Sequence, residues 1–412
     1  VVHIDHGIGC FAGLETLTVS GAPHDCLVLV YAGDDKLYLP VENIEMLSRH
    51  GPGGNDEGVA LDKLGGAGWQ GRKARLKQRL RDMAEALIRV AAERITSAAP
   101  RLEMPQDLTE EFAARFPYTE TDDQVRAIDE SLAGLAEDRP SDRLICGDVG
   151  FGKTEVALRA AFAAAMSGKQ VAVVVPTTLL CRQHFHTFSE RFAGYPIQIR
   201  QLSRMVGAKD AALVREGLAD GTVDIIIGTH SLLSKSVMFT DLGLLIIDEE
   251  QHFGVAQKEK LKALKADVHV LTLTATPIPR TLQLAMSGVR ELSLIATPPV
   301  DRLAVRTFVL PFDPVVIREA ILRERFRGGQ CFYVCPRIED LDGVAAALKE
   351  LVPEVSIVTV HGRLAAGKID EAMTAFYDGK YDVLLTTTII ESGLDMPRVN
   401  TLIVHRGPRF EA

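Results

Sequence analysis

The feature that most narrows the folds open to this chain is Gly147-Asp-Val-Gly-Phe-Gly-Lys-Thr154. It lies between an apolar run, Leu144–Cys146, and a segment of helical character beginning near Lys153. The spacing is G-x-x-x-x-G-K-[ST]. Glycines let the backbone turn tightly, so that successive N–H groups converge. A helix starting directly afterwards adds the partial positive charge of its N-terminus. The result is a cradle for phosphate. Gly147, Asp148, Val149, Gly150, Phe151 and Gly152 form its backbone, Lys153 reaches the outer phosphates, and Thr154 offers a hydroxyl to Mg²⁺. A strand–loop–helix unit of this kind belongs to a parallel sheet, so the motif predicts an α/β fold.

The rest of the chain from Phe116 onward agrees. Apolar runs alternate with amphipathic segments at Leu144–Cys146, Gln170–Pro176, Asp224–Gly228, Leu244–Ile247 and Val268–Thr272, then at Gln330–Cys335, Val355–Val360, Asp382–Thr386 and Thr401–Val404. Many are apolar at consecutive positions, as strands covered on both faces must be. This predicts doubly wound parallel sheets. A break at Thr297-Pro-Pro-Val-Asp301 separates two lobes, 116–300 and 301–412.

The first 52 residues read differently. Short strands at Val1–Ile4, Leu14–Val19, Cys26–Tyr31 and Lys36–Pro40 are punctuated by turn residues, with a hairpin around Ala32-Gly-Asp-Asp35. So small a strand-rich unit predicts a compact β-barrel, which leaves few exposed edges. Residues 53–115 are a linker. Within it a long helix is expected over about 71–97, with an apolar stripe of Leu76, Leu80, Met83, Leu87 and Val90. Its first half is basic, with Arg72, Lys73, Arg75, Lys77, Arg79 and Arg81, either a solvated face or a contact for nucleic acid or a partner.

The net charge of −9 argues against a chain coated in nucleic acid, but not against a local basic groove. Six cysteines without a recurring zinc spacing are expected as buried thiols of a reducing cytosol. No apolar run approaches the ~20 residues of a membrane helix, so no membrane is expected and the location reads as cytoplasmic. Both ends of the chain read as cuts in a longer protein.

Other strand ends carry chemistry. Leu244-Leu-Ile-Ile-Asp-Glu-Glu250 closes a buried strand with three carboxylates, which need compensating charge. Asp248 is expected to serve Mg²⁺, and Glu249 to orient and deprotonate an attacking water. With Lys153, these are the candidate catalytic groups of an ATP hydrolase. Thr274 and Thr276, in Leu271-Thr-Leu-Thr-Ala-Thr-Pro277, are candidates to couple nucleotide state to movement. Pro176-Thr-Thr178 and Gly228-Thr-His-Ser231 end strands on the same expected sheet edge. Hydroxyls there suit nucleic-acid phosphates, which position without reading sequence.

This ordered set resembles helicase superfamily two. It comprises the phosphate loop, Pro176-Thr-Thr, Gly228-Thr-His, Asp248-Glu-Glu-Gln251, Thr274-Ala-Thr276, His361-Gly362 and Thr386-Thr-Thr-Ile-Ile-Glu-Ser-Gly-Leu-Asp395. Thr274-Ala-Thr-Pro-Ile-Pro-Arg280 and Ile389-Ile-Glu-Ser-Gly-Leu-Asp395 are similar to the branch that holds the transcription-repair coupling factors and a fork-acting branch-migration helicase. Phe116-Pro-Tyr-Thr-Glu-Thr-Asp-Asp-Gln124 resembles its adenine-recognition segment, which makes Phe116 and Gln124 candidates for the base. Val2-His-Ile-Asp-His-Gly-Ile-Gly9, Gly13-Leu-Glu15 and Lys36-Leu-Tyr-Leu-Pro-Val41 resemble the CarD-like polymerase-interacting domain of the coupling factors.

The resemblance implies a CarD-like barrel and two RecA-like lobes, the second incomplete. It implies use of ATP and Mg²⁺, with Gly393 and Asp395 approaching the nucleotide. It implies a sequence-independent double-stranded DNA translocase whose DNA contacts are Thr177, Thr229, His230, Arg280, His361 and Thr387. His361 reads equally as a histidine capping a turn. Partners implied are the β subunit of RNA polymerase, met by Lys36, Leu37, Tyr38 and Leu39, and excision-repair factors bound by regions outside this chain. Whether Tyr38 or Leu39 faces a partner or the barrel core is open at this point. His252 stands where the family more often has arginine. The family's closing arginine segment does not follow Val404, so the chain is expected to bind nucleotide and hydrolyse it poorly, since such arginines are worth about 10³–10⁵ in rate. Rival readings are the fork-acting helicase and a polymerase-binding adaptor without motor activity.

Overall fold

The computed structural model describes residues 1–19, 22–49, 60–66, 68–78, 81, 97–254, 257, 260–261, 268–275, 290–300, 305–387 and 394–405. The chain divides into two units, Val1–Val90 and Ala91–Ala412.

In the first unit, tight turns fold short strands into antiparallel pairs. Strands β1 (Val2–His3), β2 (Gly7–Ile8) and β6 (Leu47–Ser48) form one three-stranded sheet in the order β2-β1-β6. Strands β3 (Cys10–Val19), β4 (Ala22–Val30) and β5 (Lys36–Pro40) form a second, in which Val30 pairs with Lys36 across the turn expected at Ala32–Asp35. Cys26, Leu27, Val28, Leu29, Tyr31 and Leu39 are its core. Leu39 is therefore buried, while Tyr38 and Lys36 lie exposed and Leu37 half-buried. A helix over 68–78 (α1) packs in the same unit, where the Trp69 indole donates to Ile4 O at 2.9 Å.

Asp62 ties this helix to the strands. It accepts from Ile8 N at 2.8 Å and pairs with Arg72. Burial pushes its carboxyl up, but the Ile8 N–H and Arg72 outweigh that and hold it below its ordinary value. Lys73 lies 3.7 Å from Asp5. Two residues of the basic run thus serve the unit itself. Of the expected stripe, Leu76 is exposed, and Leu80, Met83, Leu87 and Val90 lie outside the described residues, as does Arg79.

The second unit opens with α2 (Gln106–Ala114) and α3 (Asp122–Leu135). Alternation follows: β7 (Asp142–Gly147), α4 (Lys153–Met166), β8 (Gln170–Val174), α5 (Thr178–Arg191), β9 (Ile199–Leu202), α6 (Ala208–Asp220), β10 (Ile225–Gly228), β11 (Leu242–Asp248), β12 (His269–Thr274) and β13 (Glu291–Ile295). The seven strands are parallel in the order β13-β7-β12-β11-β8-β10-β9. Alternate residues enter opposite cores. Val171, Val173, Ile225, Ile227, Leu244 and Ile246 meet α4 and α5 on one face, whereas Ala172, Val174, Ile226, Leu245 and Ile247 meet α6 on the other. This is why consecutive positions are apolar. Leu244, Leu245, Ile246 and Ile247 are all fully buried, each contributing about 1.5–3 kcal/mol relative to exposure. That anchorage seats a strand whose end is densely charged.

A second parallel sheet holds β14 (Gln330–Val334), β15 (Ile357–Val360), β16 (Val383–Thr386) and β17 (Val399–Val404), in the order β15-β16-β14-β17. Helices α7 (Pro314–Phe326), α8 (Leu341–Leu351) and α9 (Ala366–Tyr377) accompany it. Asp313 caps α7 by accepting from Val315 N at 2.8 Å, and Pro314 presets its first turn. The α/β class with parallel-sheet lobes expected from the sequence is the class observed, and where a compact barrel is expected over residues 1–52 the described strands form two three-stranded antiparallel sheets. Among the described residues no helix is long and apolar enough to cross a membrane.

Candidate active site

The ends of β7, β8, β10, β11 and β12 bring the chemistry to one edge of the larger sheet, where open α/β sheets place their ligand sites. β7 stops at Gly147, the chain turns through Asp148–Gly152, and α4 begins at Lys153. Gly150 and Gly152 have φ of +80° and +77°, a region that side chains resist. Gly152 is doubly constrained, because a Cβ there would lie 2.3 Å from Gln124 Nε2. Phe151 fixes the loop from below by burying its ring in the core. Lys153 donates from Nζ to Gly147 O at 2.7 Å and Asp148 O at 3.0 Å. Burial pulls its ammonium below the ordinary value, against the attraction of Glu249 and Asp248. Thr154 is half-buried at the first turn of α4.

Asp248 and Glu249 are both buried. Glu249 has left-handed backbone, φ 51° and ψ 52°, which costs a side chain about 1–2 kcal/mol. Such strain is held only where the surroundings over-determine it. Here Glu249 N donates to Leu273 O at 3.0 Å, and its carboxylate accepts from the Gln251 amide. The Thr274 hydroxyl donates to Gln251 Oε1 at 3.2 Å, so Gln251 joins a coupling candidate to the candidate base. Burial, then the charge of Asp248, push the Glu249 carboxyl above its ordinary value. That moves it toward the range in which a general base works near neutrality. The third carboxylate, Glu250, has a partner the sequence did not suggest. Arg290 lies 3.5 Å from it, 2.8 Å from Asp142, and bonds the Thr272 hydroxyl. Part of the compensating charge at this strand end is therefore supplied by the protein itself, through Arg290.

Asp248 is held by His184 of α5, whose Nε2 lies 2.9 Å from Oδ2. An ionised carboxylate only accepts, so against one, Nε2–H is the donor. The sequence carried a signal for His184 that went unread: Cys181, His184 and Phe188 share the buried helical face at spacings of three and four.

The base segment lies beside the loop. Gln124 closes a capping box on α3 with Thr121, and its Nε2 donates to Phe151 O at 2.9 Å. Phe116 is half-buried, edge-on to Tyr118 and 5.8 Å from the Arg191 guanidinium. Buried Glu155 pairs with Arg191 at 2.7 Å and Arg159 at 2.9 Å, and Arg159 also reaches Glu120. The segment is thus tied to α4.

Of the nucleic-acid candidates, Thr177 caps α5 by accepting from Leu180 N at 3.3 Å. Thr229 is buried with Ser231 Oγ at 3.3 Å, while His230 is exposed. In the second lobe Thr387 is buried, and His361 is half-buried with its Nδ1 unpartnered. Asp395 is exposed, and its backbone meets Gln183. Thr276, Arg280 and Gly393 lie outside the described residues.

The residue set fits a Mg²⁺–nucleoside triphosphate. A hydroxyl and a carboxylate are the hard oxygen donors that Mg²⁺ takes while keeping most of its water. The left-handed glycines leave the approach to the backbone free of Cβ atoms, and the ammonium matches phosphate.

Three families match the chain: a CarD-like/TRCF RID domain at residues 1–51, a DEAD/DEAH box helicase at 121–285 and a helicase conserved C-terminal domain at 315–411. The transcription-repair-coupling factor of Rickettsia conorii is 54% identical over 98% of this chain and 36% of its own length. That of Bacillus subtilis is 50% identical over 98% and 34%, and that of Escherichia coli 47% over 100% and 36%. The chain spans about a third of the length of these curated relatives. Among solved structures, RecG bound to a three-way DNA junction aligns with TM-score 0.66 and 26% identity, over 98% of this chain and 66% of that one. Mss116 bound to single-stranded RNA and UDP-BeF, at 16% identity and TM-score 0.54, shares the fold.

Proposed function

The chain is a homologue, over nearly its whole length, of a third of the transcription-repair-coupling factors, and from that premise we propose that it is the ATP-driven part of a double-stranded DNA translocase that engages stalled RNA polymerase. One observation carries this reading. Lys153, Asp248 and Glu249 converge at one sheet edge, and Asp395 of the second lobe is held against the first by Gln183. Nucleotide chemistry and lobe movement thus share one place.

Gly147–Thr154 hold the phosphates, with Lys153 balancing their charge. Thr154 and Asp248 serve Mg²⁺, which when bound polarises the phosphates and neutralises charge in transfer. Glu249 orients and deprotonates the water. Gln124 and Phe116 take the base. Gly393 and Asp395 close from the second lobe, and Thr274 and Thr276 pass the change on. Thr177, Thr229, His230, Arg280, His361 and Thr387 hold the phosphates of double-stranded DNA without reading sequence, so affinity falls steeply with salt. Lys36, Leu37 and Tyr38 are the accessible part of the polymerase contact, aimed at the β subunit, with Leu39 supporting them from the core. The longer protein passes the lesion to excision-repair factors in the cytoplasm of a bacterium.

The test is nucleotide binding, ATP hydrolysis and double-stranded DNA binding by the chain beside Lys153→Ala, with capture of bacterial RNA polymerase by the same chain beside Leu37→Arg. Nucleotide binding lost in the first variant and polymerase capture lost in the second are expected. Nucleotide binding indifferent to Lys153 would sink the ATPase assignment. No capture of polymerase by the folded chain would favour a fork-acting translocase, the reading that the likeness to junction-bound RecG supports, and capture indifferent to Leu37 would remove the hairpin from the contact.

A further inference from the structure

Three adjacent residues of α5 point to three separate places. Arg182 lies 3.0 Å from Asp378 and 5.7 Å from the Tyr377 ring, at the end of α9 in the second lobe. Gln183 clasps the backbone of one residue of the same lobe: its Nε2 donates to Asp395 O at 2.5 Å, and its Oε1 accepts from Asp395 N at 3.3 Å. His184 donates to Asp248. The Arg182 pair is half-exposed, and such pairs contribute little by themselves. The Gln183 clasp uses both ends of one amide on the N–H and C=O of one residue and so fixes direction as well as distance.

α5 is a single element anchored in the first lobe. Leu179, Leu180, Cys181 and Phe188 bury one side of it, and Thr177 closes its first turn. The same helix therefore begins at a nucleic-acid candidate, grips the second lobe, and ends its grip on the carboxylate assigned to Mg²⁺. Residues behind a metal ligand orient it, and their loss typically weakens metal binding by about 10–100-fold.

We infer that α5 is a transmission element: His184 is a positioning residue for Asp248, and Gln183 makes that positioning depend on the docking of the second lobe. This rests on the reading of Asp248 as the Mg²⁺ carboxylate. When the second lobe is seated through Asp395 on Gln183, α5 is held and His184 keeps one Asp248 oxygen, which would leave the other to serve Mg²⁺. When the lobe withdraws, the clasp opens and Asp248 loses its fixed orientation.

The experiment measures mant-ADP affinity of the chain in excess Mg²⁺ and in EDTA, for wild type, His184→Ala, His184→Gln, Gln183→Ala and the Gln183→Ala/His184→Ala pair. His184→Ala is expected to lower apparent Mg²⁺ affinity about 10–100-fold while the EDTA affinity stays at wild type, which also reports an intact fold. His184→Gln, whose amide replaces the Nε2–H donor, is expected to recover most of it. Gln183→Ala is expected to weaken Mg²⁺ in the wild-type background and to add nothing to His184→Ala, the mark of two residues on one path. Unchanged Mg²⁺ dependence in His184→Ala overturns the inference, and so does an equal effect of Gln183→Ala in both backgrounds. Wild-type binding that ignores Mg²⁺ would overturn the assignment of Asp248 and the inference with it. Wild-type Mg²⁺ dependence that survives in His184→Ala would overturn the inference alone.

Discussion

Gly152→Ala separates backbone strain from side-chain collision in the phosphate loop. Gly152 has φ +77°, and an added Cβ would lie 2.3 Å from Gln124 Nε2. Left-handed backbone costs a non-glycine residue about 1–2 kcal/mol. Displacing Gln124 adds two losses. The buried bond to Phe151 O is broken, which costs about 1–3 kcal/mol for an orphaned group, and the capping box with Thr121 is lost, at about 1 kcal/mol. The expected total is about 3–6 kcal/mol, a fall in melting midpoint of roughly 10 °C or more for a lobe of this size. Gly150→Ala is the control. Its φ is +80°, but nothing lies within 4 Å of the added carbon, so it incurs the conformational cost alone, roughly 5 °C. Calorimetry of both variants, repeated in a Gln124→Ala background, isolates the collision. In that background Gly152→Ala is expected to cost no more than Gly150→Ala. Equal shifts for the two glycines in the wild-type background would refute the reasoning, since the Gln124 contact would then contribute nothing.

Two further outcomes are expected. Glu249→Gln lowers hydrolysis by about 10²–10⁴-fold and stabilises the protein near neutral pH. The Glu249 carboxyl is pushed above its ordinary 4.5 by burial and then Asp248, so its contribution to stability is present below that value and is lost as pH rises through the raised one. The advantage of the variant in urea unfolding should therefore be absent at about pH 4 and present at about pH 8, and an advantage independent of pH would contradict the assignment. Arg290→Met removes the buried guanidinium from Asp142 and Glu250 and is expected to cost about 3–5 kcal/mol, read from denaturant midpoints; a cost within about 0.5 kcal/mol, as for an ordinary surface change, would mean the ion cluster is solvated.

The central strands were legible because burial on both faces writes a continuous apolar run. β9 and β13 were not, and both are edges. Ile199-Arg-Gln-Leu202 and Glu291-Leu-Ser-Leu-Ile295 each leave polar side chains toward solvent, so neither forms an apolar run. The phosphate loop was legible because its chemistry is local, eight residues between a strand and a helix. What holds it was not. Arg290 reaches Asp142 across 148 positions and His184 reaches Asp248 across 64, separations at which composition and periodicity carry no information. The alternation of β5 could not decide between Tyr38 and Leu39. Its register does: Leu39 pairs with buried Leu27 and joins the core, and Tyr38 remains at the surface.

α4 is nearly all interior, and its interior is mostly alanine: Ala157, Ala160, Ala161, Ala163, Ala164 and Ala165 are buried along one helix. Short side chains let the helix axis lie close to the sheet and to α3. Besides Phe151, the phosphate loop stands on this helix, because its far end is the helix's first turn. A methylene added anywhere along α4 has no room to be absorbed locally and must move the axis. A survey of tolerated substitutions would therefore find intolerance running well over ten residues beyond Thr154, in positions that touch neither nucleotide nor nucleic acid. Their intolerance would measure a distance, the gap between helix and sheet that sets where Lys153 stands.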